Sequence, residues 1–509
     1  MSLAPHDSLA AQQVLSLPEL LTMILDAQRL TGDGRWSSFQ RILSDEDLKN
    51  VIRVNRFWFE IGSRKLWARR ESIFPLLHVW PARRQIYAAK MTRVTSRGEP
   101  LELIHHKYRD LVFDRLREAI IRLNILCTVE HVQPFLVPSL RSFSLTDDRD
   151  LQPDIFFLLA RECPNLRDVK ISARRARFGP TLASLSSFIR HALFLKEVTV
   201  HLRGTNRASG ELVSSLTHSS TLERLQLSWL WTKSHSRQAA AEVSDSGIVP
   251  FPKITHMNLL VRSRAVGSLV RLVANVRHLA LTVKDSKDDV LPHVSDLGNL
   301  ESLIIHYQAP CFISKDSLLG LGALVRLSTL HLCACTLVMT GGNVVWSNFS
   351  DDDCEALARQ LPDLYYLRLQ LRSDISTKAV ESFSRHCPKL ELCEIVQRLD
   401  TTDLFTSPSG DLVFPQLRRL CLGSLGGEAI MSRLEPEQFC ASFERQFPGV
   451  NHVELGHGSN TEREYYDEVF ELWRDSEPGR FWESSGFDLD LQEAPEFAAN
   501  QNIPLGLDW

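Results

Sequence analysis

A short pattern of hydrophobic and polar positions recurs along the chain from about residue 138 onward. Each copy begins with a turn residue, often proline, and continues with apolar residues in the spacing L-x-x-L-x-L. Apolar residues that alternate with polar ones predict a strand with one buried face. Twelve copies occur, and their first apolar positions are Leu140, Leu166, Leu195, Leu222, Ile254, Val276, Leu300, Leu327, Leu364, Leu390, Leu417 and Val450.

The segments between these strands change to helical spacing. Ile155, Leu158 and Leu159 lie on one helical face, and Ala379, Val380, Phe383 and Cys387 repeat that spacing before a later copy. Ser350, followed three residues later by Asp353, is similar to a capping box at a helix start. Each unit is therefore predicted to be one strand followed by one helix.

The repeat length defines the fold class. The twelve first positions span 310 residues in eleven intervals of 22 to 37 residues, and their average of about 28 lies within the period of leucine-rich repeats. Leucine is 77 of the 509 residues. We therefore predict an α/β fold, an irregular leucine-rich-repeat solenoid (horseshoe) of about twelve strand-helix units over residues 116–460. Neither element of a unit can bury its apolar side alone, so stability comes from stacking.

The residue between the last two apolar positions of each strand points away from the buried face. These outward residues are Ser144, Lys170, Thr199, Gln226, Asn258, Ala280, Ile304, His331, Arg368, Glu394, Cys421 and Glu454. They mix signs and sizes, which favours a protein partner over nucleic acid, whose phosphates call for repeated Lys and Arg. We predict that substrate contacts come from Lys170, Gln226, Asn258, His331, Arg368 and Glu394.

Two inserted segments beside the strands, residues 229–250 and 336–351, add the aromatic residues Trp229, Trp231 and Trp346. Aromatic side chains on loops are suitable anchors for a partner. We therefore include these three tryptophans among the predicted substrate contacts. The alternative is that they pack locally within each insertion.

The first seventy residues carry a different pattern. Residues 17–25 read LPELLTMIL, with proline where it suits the first turn of a helix. Residues 47–58 read DLKNVIRVNRFW, and the segment closes with Leu66 and Trp67. The apolar residues keep helical spacing, so three short amphipathic helices are predicted.

These segments resemble the F-box family. An F-box followed by leucine-rich repeats is similar to the substrate receptors of SCF-type cullin-RING ubiquitin ligases. The resemblance implies that the front helices bind a Skp-type adaptor and, through it, the cullin-RING ligase, while the repeats bind a protein substrate. Residues 27–44 form a longer and more polar stretch than the usual first connection of an F-box.

The resemblance also implies which side chains face the adaptor: Leu17, Pro18, Leu21, Ile24, Leu48, Val51, Val54 and Trp67. Trp58 is expected in the small core instead. A module of about seventy residues rarely buries enough apolar surface to be stable alone, so its stripes favour a partner subunit. The alternative is that this module, residues 1–70, only caps the repeats.

The remaining segments complete the predicted domain order. Residues 71–115 are predicted as a helical connector, with a degenerate further unit at 116–125. The segment 461–509 is predicted as an acidic C-terminal cap or tail, with a helix over 462–473. Residues 51–110 carry a net charge of +8 (13 Lys and Arg against 5 Asp and Glu), and residues 461–509 carry −10 (3 Arg against 13 Asp and Glu).

Catalytic motifs do not occur in the sequence. It contains no H-E-x-x-H, P-loop, G-x-S-x-G or Rossmann glycine motif. Cys333 and Cys335 have no second Cys or His pair at zinc spacing, and Cys163, Cys387 and Cys393 fall on repeat positions typical of buried apolar residues. We therefore predict no catalytic residue, no metal site and no cofactor.

Whole-chain properties limit the classes of partner. The net charge of −4 and the mixed composition give no footprint for nucleic acid or membrane. No signal peptide or membrane span is predicted, and ten scattered cysteines are typical of a reduced, soluble chain in the cytoplasm or nucleus. Two alternatives to the adaptor remain open. They are a stand-alone repeat protein that binds or inhibits one partner, and an enzyme or enzyme activator, such as a GTPase activator.

Overall fold

The computed structural model describes most of the chain in separate stretches. They are residues 56–70, 72–97, 101–123, 128–150, 152–175, 178–202, 210–246, 249–334, 345–395, 416–422, 435–447, 449–455, 460–476 and 481–483. The chain divides into two compact units, unit 1 (residues 1–222) and unit 2 (residues 223–509).

Unit 1 is a stack of parallel strands alternating with helices. The strands lie side by side in chain order and every described neighbouring pair is parallel. They are β1 (Arg69–Arg70), β2 (Arg93–Arg97), β3 (Glu118–Leu123), β4 (Ser142–Asp150), β5 (Asp168–Arg175) and β6 (Glu197–Leu202). The helices are α1 (Arg56–Ala68), α2 (Phe74–Leu77), α3 (Pro81–Ala88), α4 (Leu101–Tyr108), α5 (Asp154–Glu162), α6 (Phe178–His191) and α7 (Gly210–Thr217). Two 3-10 turns, Val129–His131 and Gln133–Phe135, stand where a repeat helix is expected.

Unit 2 continues the same alternation. Its strands are β7 (Arg224–Trp231), β8 (His256–Val261), β9 (His278–Val283), β10 (Ser302–Tyr307), β11 (Cys311–Ile313), β12 (Thr329–Ala334), β13 (Val345–Ser350), β14 (Tyr366–Leu369), β15 (Arg372–Asp374), β16 (Leu392–Ile395), β17 (Arg419–Leu422), β18 (His452–Leu455) and β19 (Phe481–Glu483). Its helices are α8 (Lys233–Ser246), α9 (Ser263–Val270), α10 (Leu291–Val294), α11 (Lys315–Gly320), α12 (Asp351–Gln360), α13 (Thr377–His386), α14 (Pro436–Gln446) and α15 (Asn460–Ser476). Strands β11, β13 and β15 form a separate three-stranded sheet, and the others pair in parallel in chain order.

All twelve strands predicted from the L-x-x-L-x-L pattern are present as β4–β10, β12, β14 and β16–β18. Their apolar positions form the core, since Leu330, Leu332 and Leu367 are each fully buried. The α/β prediction of a leucine-rich-repeat-like solenoid is confirmed. The predicted capping box is also present, because the Asp353 carboxylate accepts hydrogen bonds from the backbone N–H and hydroxyl of Ser350 at 3.0 and 2.7 Å.

One tight turn recurs where a helix ends and the next strand begins. Cys163, Leu361, Cys387 and Phe447 follow α5, α12, α13 and α14 with φ between −126° and −117°, and all four are buried. The carbonyl of each accepts the N–H three residues later, which belongs to the first apolar residue of the repeat. Burial raises the pKa of the Cys163 and Cys387 thiols to about 12. These cysteines are therefore packing residues.

The segment predicted as a helical connector differs from expectation. Residues 71–115 contain the helices α2, α3 and α4, but they also contain the strand β2, and β1 pairs with β2 in register from Arg69. The sheet therefore begins about fifty residues before the expected start of the repeats. The sequence pattern missed these strands because β1 carries Arg70, and β2 carries Ser96, at register positions where later repeats carry apolar residues.

Candidate partner-binding surfaces

The outward positions predicted from the repeats form continuous rows across the strands. In unit 1, Ser144, Lys170 and Thr199 are successive Cα partners. In unit 2 the row consists of Gln226, Asn258, Ala280, Ile304, His331, Arg368, Glu394, Cys421 and Glu454. We call these the central rows of units 1 and 2. Neighbouring strands lie about 4.8 Å apart, so each row is a ridge on one face of its sheet.

The central rows are unevenly accessible. Lys170 is exposed, and Gln226, Asn258 and Arg368 are partly exposed. In contrast, His331 and Glu394 are only 8% and 6% exposed. The structure therefore leaves Lys170, Gln226, Asn258 and Arg368 available to a partner, whereas His331 and Glu394 offer little surface.

An ionic network occupies the C-terminal half of the unit 2 row. Arg368 lies 3.1 Å from Glu394, and Arg419 on the next strand approaches the other carboxylate oxygen at 3.7 Å. Burial, followed by the Glu394 carboxylate, raises the pKa of Tyr366 to about 12. Two guanidinium groups thus share one buried carboxylate, which leaves positive charge on this part of the row.

Histidines concentrate on the same face of unit 2. The rings of His256 and His278 stack with centroids 4.1 Å apart, and burial lowers the pKa of His256 to about 4. The rings of His306 and His331 lie 4.9 Å apart at 70°. Their nitrogens and the thiol of Cys333 lie within 4.8 Å of one another. Sequence reasoning predicted no metal site, and the structure brings together three groups that could hold one.

The predicted roles of Trp229 and Trp231 are wrong. Both residues belong to strand β7 rather than to a loop, and they are 1% and 0% exposed. The indole N–H of Trp231 donates a hydrogen bond of 2.8 Å to the hydroxyl of Ser236 on α8. Both tryptophans are therefore core residues, and Trp231 contacts α8. Trp346 lies in strand β13, opposite Phe312 and Arg372, and its side chain lies outside the described residues.

The predicted adaptor-facing residues fall mainly beyond the described stretches. Leu17, Pro18, Leu21, Ile24, Leu48, Val51 and Val54 lie outside the described residues, as does the side chain of Trp58. Trp67 is described, and it is only 6% exposed, with its ring stacked on Tyr87 at 4.9 Å. The prediction that Trp67 faces a partner is therefore wrong, because its own chain buries it.

Helix α1 is attached to the start of the sheet through a buried lysine. The ammonium group of Lys90 lies 2.9 Å from the Glu60 carboxylate and 2.6 Å from the Ser63 hydroxyl, and 5.0 Å from the centre of the Phe59 ring. The N–H and hydroxyl of Thr92 both donate to the carbonyl of Ala68. The end of the predicted front module is therefore continuous with the repeats.

Trp80 is an exposed aromatic residue that sequence reasoning did not select. It directly precedes α3 and is 82% exposed, the highest value among the large hydrophobic residues that the structure describes. Isolated exposed apolar residues are common. Trp80 differs because its helix packs against α1, so it lies beside the predicted adaptor-binding module. The W-P dipeptide could have indicated a helix start, but not this exposure.

None of the described helices is long and apolar enough to cross a bilayer. The described cysteines are all free thiols. Burial, followed by the nearby acidic Asp351 and Asp353, raises the pKa of the Cys354 thiol well above its ordinary value. Such a thiol stays protonated and is unreactive at neutral pH.

No family model matches the chain, and no curated protein matches it. Among solved structures it is similar to a chain of the yeast Rad7 and Elc1 complex, with a TM-score of 0.39, 14% sequence identity, and 83% of this chain and 94% of that chain covered. It is also similar to the internalin InlF from Listeria monocytogenes, with a TM-score of 0.35, 12% identity, and 75% and 95% covered. Neither likeness assigns a function to this chain.

Proposed function

We propose that this chain is a non-catalytic substrate receptor of an SCF-type ubiquitin ligase. Residues 1–70 bind a Skp-type adaptor, and the central rows bind a protein substrate. The observation that carries the proposal is the order of two patterns in one chain: the LPELLTMIL and DLKNVIRVNRFW segments precede a leucine-rich-repeat array. Apolar helical stripes of this kind are suited to burial by another subunit.

The repeat face supports the second half of the proposal. The partly exposed Gln226, Asn258 and Arg368 supply polar groups on the central row of unit 2, and the exposed Lys170 supplies one on that of unit 1. A row of mixed polar groups favours a protein surface with complementary donors and charges, because other surfaces would leave these groups unpaired. Lys170 on unit 1 and Arg368 on unit 2 each favour an acidic group of the substrate.

Trp80 supports the first half. A tryptophan that is 82% exposed carries a large apolar area at low cost in side-chain entropy. Such residues dominate binding energy when a partner covers them. We assign Trp80 to the edge of the adaptor contact.

Adaptor binding is tested with the full-length chain and purified Skp adaptor by titration calorimetry. We expect Leu17→Asp and Leu21→Asp each to weaken binding by about thirtyfold or more, because a buried apolar anchor contributes about 2 kcal/mol. Leu193→Asp is the matched control, since Leu193 is 72% exposed in unit 1. Equal affinity of the wild type and all three variants would contradict the proposed contact.

A second function is favoured by one observation. Contacts of Trp67 and Lys90 hold α1 against the start of the sheet. A helix whose only role is to cap the repeats would be packed in this way. The chain would then be a stand-alone leucine-rich-repeat protein that binds or inhibits one partner. The same titration separates the two functions, because a wild-type chain that does not bind the adaptor would favour this alternative.

A further inference from the structure

Three metal-ligating side chains meet on two adjacent strands of unit 2. His306 lies on β10, and His331 and Cys333 lie on β12. The Nδ1 atom of His306 is 2.9 Å from the Sγ atom of Cys333, and one ligand atom from each of the three residues lies within 4.8 Å of the others. We call them the His-His-Cys cluster.

The strand register explains why these residues meet. His306 and Cys333 are direct Cα partners in the parallel pairing of β10 with β12. Their side chains therefore leave the sheet on the same face, about 4.8 Å apart. His331 precedes Cys333 by two residues and points to the same face. The regular strand geometry thus positions the cluster.

Burial of the cluster restricts its chemistry. Cys333 and His331 are 4% and 8% exposed, and the Nε2 atom of His331 is buried without a hydrogen-bond partner. A buried nitrogen of this kind normally costs free energy unless a ligand or water satisfies it. The Nε2 atom of His331 is therefore available to bind a metal ion.

The cluster lies beside a positively charged group. This group is Arg368, which lies on β14 directly opposite His331 in the strand pairing. Arg368 shares the Glu394 carboxylate, 3.1 Å away, with Arg419, so this carboxylate only partly offsets its charge. Arg368 also lies close enough to Cys333 for the two to interact electrostatically, and a metal-bound Cys333 thiolate would place a negative charge beside it.

We propose that the His-His-Cys cluster is a Zn²⁺ site, with water completing the coordination. Two imidazole nitrogens and one thiolate are borderline-soft donors that suit Zn²⁺, whereas Mg²⁺ and Ca²⁺ prefer oxygen ligands. Zinc bonds of about 2.0–2.3 Å in tetrahedral geometry separate ligand atoms by about 3.5 Å. The cluster reaches that spacing through side-chain shifts of about an ångström. The site is independent of the proposed adaptor role.

The test uses the full-length chain, stripped with a chelator and titrated with Zn²⁺ against a chromophoric competitor. We expect a zinc equivalent that Cys333→Ser removes and that His306→Asn weakens at least tenfold. His278→Asn is the matched control. His278 lies on the same face of β9 and stacks on His256, so its replacement should leave zinc affinity unchanged.

A second measurement identifies the thiolate. Co²⁺ added to the stripped wild type should produce a sulfur-to-metal charge-transfer band, and Cys333→Ser should diminish it. Circular dichroism of the metal-free variants establishes that they are folded, and if Cys333→Ser is not, the partly exposed His306 provides the deciding variant. No zinc binding by the wild type, or equal affinity in the wild type and the folded variants, would overturn the proposal.

Discussion

Different kinds of contact hold the helices at the first strands of unit 1 and at the last strands of unit 2. At the start, α1 is held by the ammonium group of Lys90, which contacts Glu60 and Ser63, and by the stacking of Trp67 on Tyr87. At the end, α14 and α15 pack against each other through aromatic rings. These rings are Phe439, Phe443, Tyr466, Phe470 and Trp473, all of them at most 4% exposed.

The two kinds of contact have different effects: one fixes the orientation of a helix, and the other excludes water from the last repeat. Hydrogen bonds to an ammonium group are directional, so they fix where α1 sits on the sheet. Aromatic packing tolerates several geometries and contributes mainly by removing apolar area from water. A helix that must present a preceding module in one orientation benefits from the first device. A helix that only covers the last repeat needs the second.

The largest expected effect is at the aromatic end. Trp473→Ala should lower the free energy of unfolding of unit 2 by about 3–5 kcal/mol, because it opens a cavity beside Phe443 and Phe470. The measurement is urea denaturation followed by circular dichroism. Phe312→Ala, at a position 59% exposed, is the control and should change little. A loss below about 1 kcal/mol would show that α15 does not seal the repeats.

The next effect tests whether Trp67 belongs to the core or to a partner surface. Trp67→Ala should destabilise the free chain by about 3 kcal/mol, since its ring is 6% exposed and stacked on Tyr87. The same denaturation assay measures it. A partner-facing tryptophan would behave differently, leaving the unfolding midpoint unchanged while weakening the adaptor complex.

The strands were predictable because their signal is local. The L-x-x-L-x-L spacing within each repeat fixes which side chains are buried, and the helix predicted over 462–473 appears as α15 for the same reason. The tryptophans of β7 were misplaced because the L-x-x-L-x-L pattern ends at Leu227, whereas the strand continues to Trp231. In the longer strand, Trp229 and Trp231 follow Leu225 and Leu227 at a spacing of two residues and are buried with them. The repeat pattern alone does not show how far a strand extends beyond its last leucine.

The His-His-Cys cluster shows the corresponding limit for sites. His331 and Cys333 are neighbours in sequence, but His306 lies 27 residues before Cys333. Their contact depends on the register in which β12 pairs with β10, and that register is set by the length and path of the segment between the two strands. Local metal motifs carry their ligands at short fixed spacing, so a search for them misses ligands joined by strand register.

A smaller effect is expected at the lysine. Lys90→Met should cost about 1–2 kcal/mol, because Ser63 loses its buried partner while the half-exposed Glu60 regains water. Lys389→Met is the matched control, since Lys389 pairs with Asp363 at 2.6 Å but both side chains are more than half exposed. That pair should contribute less than about 0.5 kcal/mol. Equal decreases in the free energy of unfolding for Lys90→Met and Lys389→Met would show that Lys90 holds α1 no more strongly than an exposed ion pair would.

The smallest effect is a pH dependence confined to the aromatic end. Burial, followed by Glu435, Glu468 and Glu437, raises the pKa of Tyr465 to about 12, against about 10 in the unfolded chain. Between these values the unfolded chain releases the proton and the folded chain retains it, so stability is complete below pH 10 and falls as the pH rises toward 12. Because the ring is partly exposed, the loss stays below about 1 kcal/mol. Urea midpoints at pH 8 and 11 should therefore fall further for the wild type than for Tyr465→Phe, and equal falls would show that this hydroxyl does not sense the acidic helix ends.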